Sequence, residues 1–405
     1  MNKKEIYDRL LLQNQEHLLR FADELSEEQN NSLYSQLENL DYSVLNSNVS
    51  VQKRGVFSPM DALTINEIKS RKDEFESIGI KAIQEGKLGA VLLAGGQGSR
   101  LGFEHPKGMF NIGESKTLYI FECLINNLLK VVKQADAWIP LFVMTSEEND
   151  LETKKFFAKH NYFGYSEANI LFFVQEQLPT VDTNGKLMLS AKDKVSTAPN
   201  GNGGWYMSLI KSGIANTVKS AEIEWLNVFA VDNVLQKMAD PCFLGAVIAC
   251  NADSGSKVVA KADPHERVGV LCHEDGKPSI VEYYEMTNEM IESHEPDGRL
   301  SYNYGVILNY LFKTDILNKI VDKELPLHKA FKKIKYIDDN GNTVFPDENN
   351  AYKFETLVLD MVKFQDSCLA YEVERDKEFA PVKNKTGVDS VETARELLKK
   401  NNIQL

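Results

Sequence analysis

The feature that most constrains this chain is an alternation that begins near residue 87. Short apolar runs, GAVLL (89–93), IPLFVM (139–144), NILFFV (169–174) and WLNVFAV (225–231), are separated by longer amphipathic stretches. The segment between the first two, from Leu118 to Val132, has helical periodicity. An apolar run without polar alternation suits a strand buried on both faces, and parallel strands need long crossovers, usually helices. The pattern predicts an α/β fold: a Rossmann-like mixed, mainly parallel sheet flanked by helices. Further runs, VVAKA (258–262), RVGVL (267–271), SIVEYYE (279–285) and YGVILNYLF (304–312), lie closer together, as in a mixed sheet or an inserted substrate-binding lobe. YEVERD (371–376) reads as one more strand, and ETARELLKKNN (392–402) as a helix with basic residues at its C-terminal end.

Residues 1–86 read as helical. Leu11, Leu18 and Leu25 recur every seven residues, too briefly for a coiled coil, so the expectation is an amphipathic helical layer packed on the main domain. Residues 62–85 are expected to form one more helix, ending near Gly86. The expected organisation is an N-terminal helical segment (1–86), a catalytic domain (87–345) and a short C-terminal segment (346–405).

Composition narrows the function. At 405 residues the chain can bury a large core without staples. A net charge of −13 gives no general attraction to nucleic acid or an anionic membrane, so neither is an expected partner. The five cysteines are scattered and form no CxxC pair, which indicates neither a disulfide framework nor a zinc site. The N-terminus carries charges among its apolar positions and reads neither as a signal peptide nor as a spanning helix, and the expected location is the cytoplasm. The expected form is a monomer. The seven histidines are dispersed, and no hydrolase triad or dehydrogenase acid–base pair can be assembled from motifs.

Against this acidic background one stretch concentrates glycine and positive charge. LAGGQGSRLGFEHPKGM (93–109) holds five glycines, Arg100 and Lys107, directly after a predicted buried strand and before a helix. In an open α/β sheet, ligands bind outside the carboxyl ends of the strands. Glycines there let main-chain N–H groups approach phosphate oxygens, while an arginine forks onto an oxyanion and a lysine supplies a point charge. Rival glycine motifs fit worse. A P-loop needs Gly-Lys-[Ser/Thr], and here the lysine precedes its glycine. A dinucleotide fingerprint starting at Gly96 and Gly98 needs a third glycine at 101, where Leu101 stands.

This loop closely resembles the signature loop of the eukaryotic UDP-N-acetylglucosamine pyrophosphorylases, within the UDP-sugar pyrophosphorylase group. Four further blocks follow in order: APNGNGGWY (198–206), VFAVDNVLQKMADP (228–241), IVEYYE (280–285) with DGRLSYNYGVILNYLF (297–312), and EFAPVKN (378–384). The resemblance spans roughly residues 90–390 and implies a nucleotidyltransferase-type fold. It implies that Leu93, Gly95, Gly96 and Gly98 line the nucleotide, with Arg100 and Lys107 on its phosphates. Gln175 and Gly201 are implied at the uracil, and Asn202 near the sugar. Asp232 is implied as the Mg²⁺ ligand; such an ion takes one or two carboxylates and fills its other positions with phosphate oxygens and water. Glu282 and Asn303 are implied at the sugar hydroxyls, and Lys383 at the phosphates from a later part of the chain. The chain departs from the family at Val306, where a sugar-contacting asparagine is usual; Asn303 or Asn309 is the expected compensation. A C-terminal domain seen in the family is expected here to be absent or reduced to one helix.

The implied reaction joins UTP and N-acetylglucosamine 1-phosphate into UDP-N-acetylglucosamine and pyrophosphate, with Mg²⁺ as cofactor. The same chemistry on glucose, galactose or N-acetylgalactosamine 1-phosphate is the nearest alternative. A catalytically silent nucleotide-sugar binding protein is the alternative from another class.

Overall fold

The computed structural model describes residues 2–46, 54–321, 323 and 325–405. The part of the helical expectation that falls on residues 47–53 lies outside them. The chain forms two compact units, each assembled from three separate stretches: 1–53, 176–204 and 325–357 in one, and 54–175, 205–324 and 358–405 in the other.

The larger unit is built on a ten-stranded mixed sheet. Its strands are β1 (Phe57–Pro59), β2 (Leu88–Leu93), β3 (Leu141–Thr145), β4 (Ile170–Val174), β5 (Trp225–Ala230), β6 (Ser254–Ala260), β7 (Val270–Glu274), β8 (Lys277–Val281), β9 (Tyr304–Lys313) and β10 (Cys368–Glu372). They run in the order β1-β7-β9-β5-β2-β3-β4, with β8 beside β7, and β6 between β9 and β10. The four strands anticipated from continuous apolar runs, β2 to β5, are the parallel core. The closely spaced later runs form the antiparallel part around β9. Every residue of β2 and β3 is buried, as a strand covered on both faces demands.

Chain order reverses beside β2. From β2 the chain moves outward through β3 to β4, then returns to lay β5 on the other side of β2. Such a reversal opens a crevice at the carboxyl ends of the two strands. Leu93 pairs with Ala230 across it, so the segments leaving β2 and β5 emerge side by side.

Five helices matter to this frame: α1 (Lys72–Gln84), α2 (Ile120–Ala135), α3 (Asp150–Lys159), α4 (Pro241–Ala249) and α5 (Val391–Lys400). The expected single helix over 62–85 is two, Ile65–Ser70 and α1, broken at Arg71, whose backbone leaves the helical region. Helix α1 then packs main chain to main chain on α4. A Cβ on Gly79 would sit 1.9 Å from the Pro241 carbonyl oxygen, and one on Gly245 1.7 Å from that of Phe75. This contact fixes α4, the helix into which the segment after β5 runs.

In the smaller unit, helices Lys3–Leu12 and Glu27–Asn39 bury Ile6, Leu10, Leu33 and Leu37. Those side chains share one core with Leu18, Leu178, Val181, Leu189, Val195 and Phe354. The heptad-spaced leucines do not lie on one helical face. The first helix ends at Leu12, Asn14 turns left-handed, and Leu11 is exposed while Leu10 is buried.

Among the described residues no helix is long and apolar enough to cross a membrane. Gly245→Val is expected to destabilise the protein by at least about 2 kcal/mol, since overpacked backbone contacts cannot yield locally. The measurement is the urea midpoint at unchanged slope; a wild-type midpoint would mean that α1 and α4 do not touch in this way.

Candidate functional site

The glycine-rich loop leaves β2 at Leu93 and folds back on itself. Gly98 N–H donates to the His105 carbonyl (2.9 Å), Lys107 N–H to the Gly96 carbonyl (3.1 Å), and Gln97 bridges Pro106. At its start, Asn149 is fully buried; its amide donates to the Ala94 carbonyl (3.1 Å) and accepts from Ser146 N–H (2.8 Å). His105 pairs with Glu152 of α3 at 2.5 Å, tying the far side of the loop to that helix.

The glycines of the loop have different reasons to be glycine. At Gly95 a Cβ would lie 2.8 Å from Gln175 Oε1. Gly95 and Gln175, from the ends of β2 and β4, are thus brought together; Gln175 is buried and its N–H donates to the Thr145 carbonyl (2.7 Å). At Gly96 a Cβ would meet no atom within 4 Å, and its backbone is not left-handed. Among the described residues nothing requires glycine there.

Lys107 is buried within this loop, its Nζ 3.8 Å from Asp232 Oδ2. Burial lowers the pKa of the Lys107 ammonium most. The Asp232 carboxylate pulls the other way, and the positive charges of Arg100 and Lys383 push it down further. Lys107 thus has three charged groups acting on it: one carboxylate, Asp232, and two cations, Arg100 and Lys383. Arg100 is exposed and Lys383 partly so.

Lys383 arrives from the far end of the sequence through main-chain lacing. Val382 N–H donates to the Asp232 carbonyl (2.8 Å) and Val234 N–H to that of Ala380 (3.3 Å). Buried Asn233 clamps the same segment, donating to the Glu378 carbonyl (2.7 Å) and accepting from Ala380 N–H (2.9 Å). The Lys383 ammonium rests on Asp389, 2.9 Å away.

Glu282 and Asn303 belong to the antiparallel part of the sheet. Val281, Val270 and Gly305 are aligned across β8, β7 and β9, with Glu282 directly after the first and Asn303 two residues before the last. The β5–β9 register ends at Phe229 opposite Asn309, so the first residues of β9 continue past the end of β5 at the edge where Asp232 lies. Asn309 does not compensate for Val306. It is fully buried, with its amide on the Lys237 carbonyl (3.1 Å) and its oxygen accepting from Asn227 (2.8 Å). Asn303 is partly exposed.

Gly201 and Asn202 belong to the smaller unit. Gly201 has φ +84°, and a Cβ on it would lie 2.2 Å from the Thr356 carbonyl oxygen. That oxygen also accepts from Gly203 N–H (2.9 Å), while Thr356 N–H donates to the Asn200 carbonyl (2.7 Å). The turn is therefore held against the 351–357 segment, and glycine at 201 is dictated by that approach.

Asn149, Asn233 and Asp389 were not singled out from sequence. Asn233 has a local signal, standing next to Asp232 after a buried strand; Asn149 meets Ala94, 55 residues away, and Asp389, though only six residues from Lys383, stands in no motif. Among the described residues no group of three or more His, Cys, Asp or Glu side chains is arranged to hold a metal ion. A cation at Asp232 would have one carboxylate from the chain, a donor set that suits Mg²⁺ when phosphates supply the remaining oxygens.

Comparison with known proteins agrees with this geometry. The family model described as UTP–glucose-1-phosphate uridylyltransferase matches residues 33–403. The UDP-N-acetylhexosamine pyrophosphorylase-like protein 1 of Homo sapiens is 36% identical, covering 98% of this chain and 84% of its own length. The UDP-N-acetylglucosamine pyrophosphorylase of Saccharomyces cerevisiae is 34% identical, covering 96% and 85%. The solved structure of the uridine diphosphate N-acetylglucosamine pyrophosphorylase of Trypanosoma brucei, in complex with an inhibitor, superposes with a TM-score of 0.84 at 28% identity, covering 98% of this chain and 84% of that one. Signature loop, sheet reversal and matches over most of the chain together make it a member of the eukaryotic-type UDP-N-acetylglucosamine pyrophosphorylase family, a group of nucleotidyltransferases.

Proposed function

We propose that the protein is a uridylyltransferase that converts UTP and N-acetylglucosamine 1-phosphate into UDP-N-acetylglucosamine and pyrophosphate. The observation that carries this reading is the buried Lys107, 3.8 Å from Asp232 beside the reversal point of the sheet, with the charges of Arg100 and Lys383 also acting on it. A phosphate oxygen of the sugar phosphate attacks the α-phosphorus of UTP. The bond from that phosphorus to the oxygen bridging the β-phosphate breaks, and pyrophosphate leaves with the electron pair. No proton transfer or covalent intermediate is needed, so catalysis is alignment and charge neutralisation between two anions.

Arg100 and Lys107 stabilise the charge that accumulates on the departing pyrophosphate. The main chain at Gly96, where no neighbour demands glycine, lets the triphosphate lie close. Lys383, released from Asp389, holds the incoming phosphate. Gln175 meets the uracil with a donor and an acceptor, and its place beside Gly95 supports that role. Gly201 presents main chain to the base and Asn202 binds near the sugar, while Leu93, Gly95 and Gly98 complete the loop's contact with the nucleotide. Glu282 and Asn303 bind the sugar hydroxyls.

Nucleotidyltransferases of this family generally need a divalent metal; here we propose Mg²⁺ held by Asp232. When bound, it neutralises phosphate charge and aligns the two substrates. Activity on another sugar 1-phosphate is the second reading. Val306 favours keeping it open, because its N–H is bonded to the Gly269 carbonyl (2.9 Å) and its side chain offers no hydrogen bond.

The direct test is pyrophosphate release from UTP and Mg²⁺ with a panel of sugar 1-phosphates. N-acetylglucosamine 1-phosphate is expected to give the highest kcat/KM; release with glucose 1-phosphate alone would select the second reading. Arg100→Ala or Lys107→Ala is expected to lower kcat by roughly 10²–10³-fold, the usual scale for one transition-state charge partner. A folded variant that loses less than about threefold removes that residue from the mechanism. Asp232→Asn should raise the Mg²⁺ concentration needed for half-maximal rate, and a wild-type magnesium titration would reject Asp232 as ligand.

The lowered pKa of Lys107 has a definite sign. Only the ammonium form neutralises phosphate, so kcat/KM for UTP should fall on the alkaline side at a pH below about 10.4, where an ordinary lysine titrates. Lys107→Arg should move this limb upward. If arginine leaves the limb in place, another group titrates there.

A further inference from the structure

Behind the candidate site lies a buried ionic cluster that the proposed chemistry does not use. Lys257, in β6, is completely buried. Its ammonium donates to Asp240 Oδ2 (2.7 Å), Glu378 Oε2 (2.6 Å) and the Lys237 carbonyl (3.2 Å). The second oxygen of Glu378 lies 3.2 Å from Lys237 Nζ, which balances the cluster as two cations against two carboxylates. The β6–β9 register shifts opposite Lys257: Ser256 faces Tyr310 and Val258 faces Val306, so the extra residues lie on β9, where Leu308 is left-handed (φ +52°). Phe243 and Tyr371 place their rings 5.6 and 5.9 Å from the ammonium.

The partners of Lys257 sit on the two segments that form the phosphate end of the site. Asp240 and Lys237 close the stretch that starts at Asp232, and Asp240 also caps α4 by accepting from Cys242 N–H (3.0 Å). Glu378 opens the stretch that ends at Lys383, and its own carbonyl receives the Asn233 amide. One ammonium thus joins both strands of the lacing at its base. For stability alone such a cluster is a poor device, since apolar groups of the same volume serve at least as well. Its three donor bonds fix direction, which apolar packing does not.

We propose that Lys257 is a positioning residue: it sets the distance between the Asp232 segment and the Lys383 segment without touching substrate. This rests on the reading of Asp232 and Lys383 given above. Displacing a reacting group by about 1 Å costs on the order of 10²-fold in rate, so small slips in this lacing are costly.

Two variants test it: Lys257→Met, and Lys257→Met/Asp240→Asn/Glu378→Gln, charge-free at Lys257 and at both its carboxylate partners and called the charge-free variant below. The second leaves no uncompensated buried carboxylate and keeps the test open if the first does not fold. Each is measured with Lys383 intact and with Lys383→Ala, for pyrophosphate release and for UTP affinity by calorimetry. The expected result is cooperative unfolding of the charge-free variant with kcat lowered roughly 10- to 100-fold. In the Lys383→Ala background the same change should cost less than about threefold, because residues acting as a unit are not additive. Wild-type turnover in the folded charge-free variant overturns the inference, as do equal losses with and without Lys383. If Lys383→Ala alone leaves turnover unchanged, the reading of Lys383 falls and takes the inference with it, a result distinct from additivity. If the wild-type protein releases no pyrophosphate, the reading of the activity falls, and the same cycle in UTP affinity decides the inference.

Discussion

The candidate site depends on main-chain lacing between segments 145 residues apart, closed by the Asn233 amide on the Glu378 carbonyl. Asp232 leaves a core strand with little freedom, but Lys383 lies in a loop near the end of the chain. The hydrogen bonds between 232–234 and 378–382 carry that loop to the end of β5, where its charge acts on Lys107 as that of Arg100 does. Three cations held together repel one another, and the buried Lys107 also lacks solvation. The fold meets this cost with Asp232 and with backbone that cannot move apart. A site arranged this way is set for polyanionic ligands before any arrives, which is what preorganised charge stabilisation requires.

The same economy runs through the supporting residues. Asn149 holds the start of the glycine loop, His105 and Glu152 hold its far side, and the close packing of α1 on α4 holds the helix that follows Asp232. None of these groups has to meet substrate to matter. Each removes a degree of freedom from a segment of the candidate site. The family membership and the geometry thus point the same way, from independent grounds: one from matched sequence, the other from charges brought together by tertiary contacts.

Much of this is legible in the amino-acid sequence. The parallel core β2 to β5 follows the apolar runs to within two residues, because a strand covered on both faces leaves a continuous signature. The glycine loop is legible for a related reason: glycine and spaced cations after a buried strand suit few tasks besides holding an anion. Boundaries decided by single residues are not legible in this way. The break at Arg71 and the left-handed Asn14 interrupt helices whose apolar spacing continues on either side. The compensation expected of Asn309 failed because its amide is consumed inside the sheet, which side-chain type alone does not reveal.

Local chemistry therefore determined what the sequence could announce by itself: which stretches are strands, which loop suits an anion, and which residue types bring charge to it. Those properties depend on neighbours in the chain, and neighbours in the chain are what a sequence displays. The tertiary structure alone decided that residues 1–53, 176–204 and 325–357 form a unit of their own, that Asn233 meets Glu378, and that Lys257 sits between two carboxylates. Each of these joins groups from distant stretches, and such pairings are selected by the collective packing of the whole core rather than by any segment's own preference.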